Sequence, residues 1–551
     1  MRAHPLGQRI SLQPARAMRH FRTLVTSLST CALLIACDAK GGSSASSVIV
    51  LPGPELAEAG HVLRRVGFGP TPLGLQEVAQ RGAAWYVEQQ LQPEGIDETS
   101  SHPLNAWLAL LPVPQSEADQ PRLVELVERQ LARALYSPRQ LVESMTVFWD
   151  GHFNTNYWTV FNWHQNGESR AAWLETRENE LFRKLCLGRF EALLLASATS
   201  PAMLITLDNV SNVAGNPNEN YARELVELFT MGVDNGYTQR DVEELARCFT
   251  GWGVCELAPG DVDDPLAPCA GGVSGASLGF HFDPALHDSG PKTIFAGTGH
   301  ELALPARFGA AGLDDGFDVL RHVAALPQTA NYLCWKLARK FVADDPSPAL
   351  VAACVDVWMQ SGGDVESVLR TLLNSAEFMA KEQRWNKVET PLESLCSTVR
   401  ALEGIATRRI EFTNLRGVLE VGLHQSLFRW LEPDGFPETA DEQLGTARML
   451  GRIAFNEWIY LGEGDDISFD IQALVQRHGA TPRDAVSIVA VLGSLLHQEN
   501  FSAADAALAV EFLNTDANNM PLALDPEAPN YGRRLREVAA FVASLPQGVE
   551  Q

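Results

Sequence analysis

The stretch "NPNENYARELVELF", residues 216–229, carries three glutamates and one arginine on a segment with helical periodicity. At about 100° per residue, Glu219, Asn220, Arg223, Glu224 and Glu227 fall within one arc of roughly 140°. Tyr221, Ala222, Leu225, Val226, Leu228 and Phe229 fill the rest, so the spacing predicts a helix with a wide buried face. Pro217 suits a first turn, where its missing N–H has no helical partner, and Asn216 or Asn218 is placed to cap. Glu219, Arg223 and Glu227 stand four apart, the spacing of an ion ladder on a wet face, worth tenths of a kcal/mol. The same residues also suit the wall of a site, and the spacing alone leaves both readings open.

Outward from this segment, apolar stretches of helical length recur from residue 55 to 544, and alternating strand-like runs are scarce. Thr71-Pro72 and Ser137-Pro138 offer a cap followed by proline, and Thr238 with Asp241 makes an acidic capping box. The expected fold is mainly α, a large multi-helix globular domain. One long irregular region, about 253–314, is rich in Gly, Pro and Asp, with room for a small hairpin around "GASLGFHFDPALHDSGPKTIFAG". The simplest division is a helical domain over 51–404, with 405–551 as its C-terminal part or a subdomain.

With 551 residues, 46% hydrophobic and 20% charged, the chain is long enough to bury a sizeable core. Lys plus Arg number 43 against 68 Asp plus Glu, a balance that argues against nucleic acid as a partner. The amino end, "MRHFRTLVTSLSTCALLIAC" at 18–37, has a basic start, a short apolar run and Leu34-Ile35-Ala36-Cys37. It resembles a bacterial lipoprotein signal peptide ending in a lipobox, with Met18 a candidate start and Cys37 the lipidated first residue of the mature chain. "DAKGGSSASS", residues 38–47, then reads as a flexible tether within 38–50. The expected location is the cell envelope, lipid-anchored on the extracytoplasmic side of a membrane, inner or outer. No C-x-x-C occurs among the nine cysteines, and in an oxidising compartment Cys255 and Cys269, flanking a Pro, Gly and Asp-rich loop, are the expected disulfide.

The succession "HVLRRVGFGPTPLGL", "MTVFWDGHFNTN", "SPAMLITLDN", "NPNENYARELVELFTMGVDNGYTQRDVEELARCFTGW", "FHFDPALHDSGPKTIFAG", "TANYLCWKLARKFVADDP" and "LLNSAEF" resembles the bacterial family catalogued as domain of unknown function 1800. The resemblance covers roughly residues 55–460. It implies export and a partner of the DUF1501 type, another exported family often encoded beside it. It implies no reaction.

Three constellations carry candidate chemistry. On the opening segment, Glu224 and Glu227 stand three apart and can converge on a cation, with Asn218, Glu219 and Asn220 as further ligand contacts. The opposing reading has Arg223 neutralising Glu219 and Glu227 in a structural network. In "HFDPALHD", His281, Asp283, His287 and Asp288 are four potential ligands for a divalent metal such as Zn, Mn or Fe, or alternatively residues that pin a loop through hydrogen bonds. Between Phe148 and Trp173 lie eight aromatics in 26 residues, with His152 among them. Trp149 and Trp158 there suit either a sugar-binding platform or core packing.

No G-x-S-x-G, H-E-x-x-H, G-x-x-x-x-G-K-[ST] or G-x-G-x-x-G occurs, so serine hydrolysis and nucleotide chemistry lack their usual signatures. The functional expectation is one polar pocket formed by the opening helix and the His287-Asp288 loop, binding a metal or anionic ligand. In a hydrolase acting on an envelope or extracellular polymer, Glu224 or Glu227 would be the base, with Arg223, His287 and Lys292 completing the site. The alternative is a non-catalytic envelope binding or scaffold protein.

Overall fold

The computed structural model describes residues 54–551 except 166, 262, 463–466, 517 and 519. The signal peptide, the tether and Cys37 lie outside the described residues. Helix accounts for 60% of the structure and strand for 6%, the mainly α multi-helix architecture that the periodicity predicts. No described helix is long and apolar enough to cross a membrane.

One buried apolar cluster runs through the molecule from Ala59 to Leu545. The helix Pro54–Val66 sits inside it, and its buried polar residues join distant segments. His61 Nε2 meets the Phe378 carbonyl at 2.8 Å, and Arg65 donates to the carbonyl of Val342 at 2.9 Å. Arg64 donates to the Leu496 carbonyl at 2.5 Å. Such donors satisfy carbonyls that burial would otherwise leave without partners.

Glycine and proline refine the expected helices. The apolar run over 72–91 is two helices, Pro72–Arg81 and Ala83–Leu91, because Gly82 adopts φ 91° between them. The run over 175–198 likewise divides into Gly167–Leu185 and Phe190–Ala198. The capping box of Thr238 with Asp241 forms, starting the helix Gln239–Cys248.

The irregular region holds two antiparallel pairs. Trp252–Leu257 pairs with Ser277–Phe282, and Lys292–Ile294 pairs with Leu302–Leu304. The hairpin expected within 275–297 is therefore corrected in its pairing, since the two strands in that stretch turn to different partners. The Cys255–Cys269 disulfide is present, closing the loop between the first two strands.

Candidate functional site

The opening segment is a short α-turn, Asn220–Glu224, continued by a π-helical turn, Leu225–Phe229. The N-cap position falls to Glu219, whose side chain does not cap, and not to Asn216 or Asn218. Asn218 Oδ1 accepts the Asn220 N–H at 3.0 Å from one residue earlier, and the Asn220 amide donates to the Leu207 carbonyl at 3.0 Å. Tyr221, Ala222, Leu225, Val226 and Phe229 are buried, as the arc predicts. Arg223 bonds Glu219 at 2.9 Å and Glu227 at 3.4 Å, and Gln239 joins both Arg223 and Glu219 at 2.8 Å. The Arg223 side chain is 36% exposed, so this is a partly solvated ladder with its charges mutually satisfied. Glu224 stands apart from it; burial, then Glu227, pushes its carboxyl up from the usual range.

The structure does not bring this ladder to the His287 loop. Gln239 at the start of the helix Gln239–Cys248 meets the ladder, whereas Arg247 near its end meets Asp288 at 2.8 Å. Eight residues of helix place those contacts about 12 Å apart along its axis. The expected shared pocket is thus corrected to two separate charge networks.

The four loop ligands also diverge. His287 Nδ1 meets the Thr250 carbonyl at 2.8 Å, while its Nε2 lies 3.3 Å from Asp315. Asp315 is fully buried and receives Lys292 at 2.6 Å and Arg307 at 3.1 Å. Burial pushes the Asp315 carboxyl up, but bonds from His287 and Lys292 outweigh it and hold the group below its ordinary value. Asp288 is held down to about 2, chiefly by the Arg247 guanidinium. Asp283 caps its own turn through the Ala285 N–H at 2.9 Å, and His281 lies on a strand beside the disulfide. These residues pin the loop and do not converge as one metal site.

The aromatic segment divides in the same way. Trp149 is buried, donating to the Cys186 carbonyl at 3.0 Å, and packs with Phe148, Phe153 and Phe190, whereas Trp158 is 45% exposed. His152 is buried between the Phe229 carbonyl at 3.1 Å and Lys336 Nζ at 3.0 Å. Because an ammonium only donates, the His152 Nδ1 accepts and its Nε2–H donates to Phe229, fixing a neutral tautomer. Burial, then the Lys336 charge, pushes the imidazole well below its ordinary value.

A cavity of about 70 Å³ lies beside this segment, lined on one side by Gln130, Asp150, Thr155, Glu175 and Glu178. Its other side is formed by residues 425–430 and Phe436. Asp150 comes from the end of the helix Gln140–His152, and the two glutamates from Gly167–Leu185. On that helix Ala171, Glu175, Glu178 and Phe182 follow i, i+4, i+7, i+11 and are all buried, so two acids occupy the stripe that faces the core.

The Thr155 hydroxyl lies 3.0 Å from Glu175 Oε2 and 2.9 Å from Glu178 Oε2. The remaining oxygens, Glu175 Oε1 and Glu178 Oε1, are buried with no hydrogen-bond partner, as is Asn179 Oδ1. Asn179 instead gives its amide to Asp150 Oδ2 at 2.6 Å. Burial pushes Glu178 up to about 7 and raises Glu175 and Asp150 well above their usual range, with the neighbouring carboxylates adding to the latter two. Buried carboxylate oxygens without a partner are costly unless a proton or a cation compensates them.

The roof over the cavity is fastened by the asparagines of "FNTN". Asn154 donates to the carbonyls of Trp430 at 3.2 Å and Glu432 at 2.7 Å; Asn156 donates to Trp430 at 2.9 Å. The Tyr157 N–H donates to the Phe428 carbonyl at 3.0 Å. Gly435 has φ 84°, and a Cβ there would meet the Gly151 carbonyl oxygen at 2.2 Å. Only glycine lets the roof approach this closely.

Asp150, Thr155, Glu175 and Glu178 were not among the sequence candidates. The sequence carried one signal for two of them: glutamates at helical positions otherwise filled by Ala171 and Phe182.

The family model described as "Protein of unknown function (DUF1800)" matches residues 61–546, and the chain belongs to that family. The match extends well past residue 460, where the recognisable motifs end. No curated protein and no solved structure matches.

Proposed function

We propose that this member of the DUF1800 family is a binding or scaffold protein of the cell envelope, stabilised by a divalent cation between Glu175 and Glu178. The observation that carries the reading is the buried glutamate pair, with one unpartnered oxygen on each carboxylate, beneath a pinned roof. Glu175, Glu178 and the Thr155 hydroxyl are hard oxygen donors of the kind that hold Ca²⁺, Mg²⁺ or Mn²⁺. The three carboxylates do not all fall within 4.8 Å of one another, so Asp150, which also lines the cavity, contributes charge without joining the glutamate pair as a ligand. When bound, the cation would neutralise the pair and let both carboxylates stay ionised out of contact with water.

The size of the cavity favours binding over catalysis. About 70 Å³ accommodates an ion with a water or two, whereas pockets for organic ligands occupy roughly 300–1,000 Å³. Hydrolysis of an envelope or extracellular polymer therefore has no room at this centre while the roof is in place. Cation occupancy would instead set the order of the surface around the roof, where Leu431 is 74% and Trp158 45% exposed. On this reading those side chains contribute to a contact surface for a protein partner, for which a DUF1501-type exported protein is the candidate. The lipobox at Leu34-Ile35-Ala36-Cys37 supports anchoring at the extracytoplasmic face of a membrane.

The test is hydrogen exchange of the roof, residues 425–436, after chelation and after adding back Ca²⁺, Mg²⁺ or Mn²⁺. Slower exchange with one of these ions is expected; identical exchange in every condition overturns the proposal.

A further inference from the structure

A second ligand set lies outside the acidic cavity, on the strand pair at the edge of the irregular region. Cys255 is opposite Gly279 and His281 is opposite Gly253 in the antiparallel register. The two side chains thus share one face of the pair as diagonal neighbours, and the residue directly across from each is a glycine. With no side chain on either glycine, the imidazole and the sulfur face one another. Cys269 reaches the same point from the loop, so that ligand atoms of Cys255, Cys269 and His281 lie within 4.8 Å of one another. Among the described residues this is the group of three or more such side chains that meets that distance. His281 Nδ1 is buried with no hydrogen-bond partner, although a buried imidazole nitrogen ordinarily has one.

We propose that Cys255, Cys269 and His281 form a redox-gated site for a thiophilic cation of the Zn²⁺ or Cu⁺ type, closed while the disulfide is intact and opened by its reduction. In the disulfide each sulfur lacks the thiolate charge that binds metal. A dithiol reductant transfers two electrons, is itself oxidised to a disulfide, and leaves two thiols on the protein. Cation binding then releases their two protons, and both thiolates and one imidazole nitrogen become ligands. Two thiolates and one imidazole suit a soft or borderline cation, with a fourth position left for water or an exogenous ligand.

The loop keeps the ligands together after reduction. The Ala270 N–H donates to the Glu256 carbonyl at 2.6 Å, joining the residues next to the two cysteines. The Phe282 N–H donates to the Pro265 carbonyl at 2.8 Å, and Arg177 pairs with Asp263 at 3.1 Å. Cys269 is exposed and Cys255 partly so, which gives a reductant access. The other five described cysteines are all buried.

The experiment titrates the full-length protein with Co²⁺ as a spectroscopic probe and with Zn²⁺ as competitor, before and after reduction by a water-soluble phosphine. The phosphine takes up the oxygen of water as it delivers the two electrons. The reduced protein is expected to bind one Co²⁺ per chain with sulfur-to-cobalt charge-transfer absorption that Zn²⁺ abolishes, and the oxidised protein to give no such band. His281→Gln is expected to weaken binding at least about tenfold, the loss that even an outer-shell partner causes. The double variant Cys255→Ser/Cys269→Ser is expected to remove the band, which separates this site from the buried cysteines and from the carboxylate cavity. No band in the reduced protein, an undiminished band in the double variant, or unchanged affinity in His281→Gln overturns the proposal.

Discussion

Glu175 and Glu178 share one hydrogen-bond donor, the Thr155 hydroxyl, at 3.0 and 2.9 Å. A hydroxyl has a single hydrogen, so it donates to one carboxylate and faces the other with a lone pair. The second contact is a hydrogen bond only if that glutamate is protonated. Two ionised glutamates require a cation between them, and without one the pair must hold a proton. Both states follow from one geometry, and they differ in how they respond to pH, substitution and added metal.

The pH response follows from the raised pKa values. Burial lifts Glu178 to about 7, above an unfolded value of about 4.3. The folded state then binds more protons than the unfolded state between those limits. The stability that protonated Glu178 lends is full below about pH 4.3 and is lost as pH rises through about 7. In chelated protein, thermal denaturation should show wild type losing stability relative to Glu178→Gln across that interval. The buried His61 and His497, held down to about 3 and about 4 mainly by burial, drive the opposite trend, but equally in both proteins. Parallel curves would contradict the assignment.

Thr155→Val removes the shared hydroxyl at nearly constant volume, leaving Glu175 with no hydroxyl donor and Glu178 with only that of Ser200. A loss of about 1–3 kcal/mol in chelated protein is expected from denaturant titration, the penalty for unsatisfied buried polar groups. A change near zero would mean that the hydroxyl contributes nothing there.

Gly435→Ala places a Cβ against the Gly151 carbonyl at a residue with φ 84°. The expected cost is about 1–3 kcal/mol, expressed mainly as faster proteolysis and exchange over residues 425–436. Global destabilisation without local opening of the roof would argue against its being a separable element.

The two charge networks should differ sharply in what they contribute. Arg223→Ala breaks a partly solvated ladder and is expected to cost about 0–1 kcal/mol. Asp315→Asn leaves the fully buried Lys292 without its carboxylate, and about 3–5 kcal/mol is expected. Equal costs in equilibrium unfolding would contradict the burial assigned to each.

The helical architecture was legible in the sequence because its apolar positions recur with a 3.6-residue period and its caps are explicit, as at Thr238 with Asp241. The long-range site was not. Glu175 and Glu178 meet a hydroxyl 20 and 23 residues away, and the roof is fixed by Asn154 and Asn156, more than 270 residues before it in the chain. Nothing local in a sequence specifies such pairings. The charge pattern of Glu219, Arg223 and Glu227 attracted notice because it is local, and locality is also why it closes on itself as an i,i+4 ladder. Asp315 was overlooked because an aspartate beside Asp314 in the first turn of a helix looks solvated until Lys292, Arg307 and His287 are placed around it.

Metal content and calorimetric binding of Ca²⁺, Mg²⁺ and Mn²⁺ to chelated, oxidised wild-type protein, compared with Glu175→Gln/Glu178→Gln, test the central claim most directly. Keeping the disulfide intact excludes the cysteine site from the measurement. The account predicts one ion per chain in the wild type and none in the double variant, with affinity rising as pH passes about 7, where Glu178 ionises. Absence of binding in the wild type at any pH, or equal binding in the double variant, would contradict it and leave the glutamates as a proton-sharing pair.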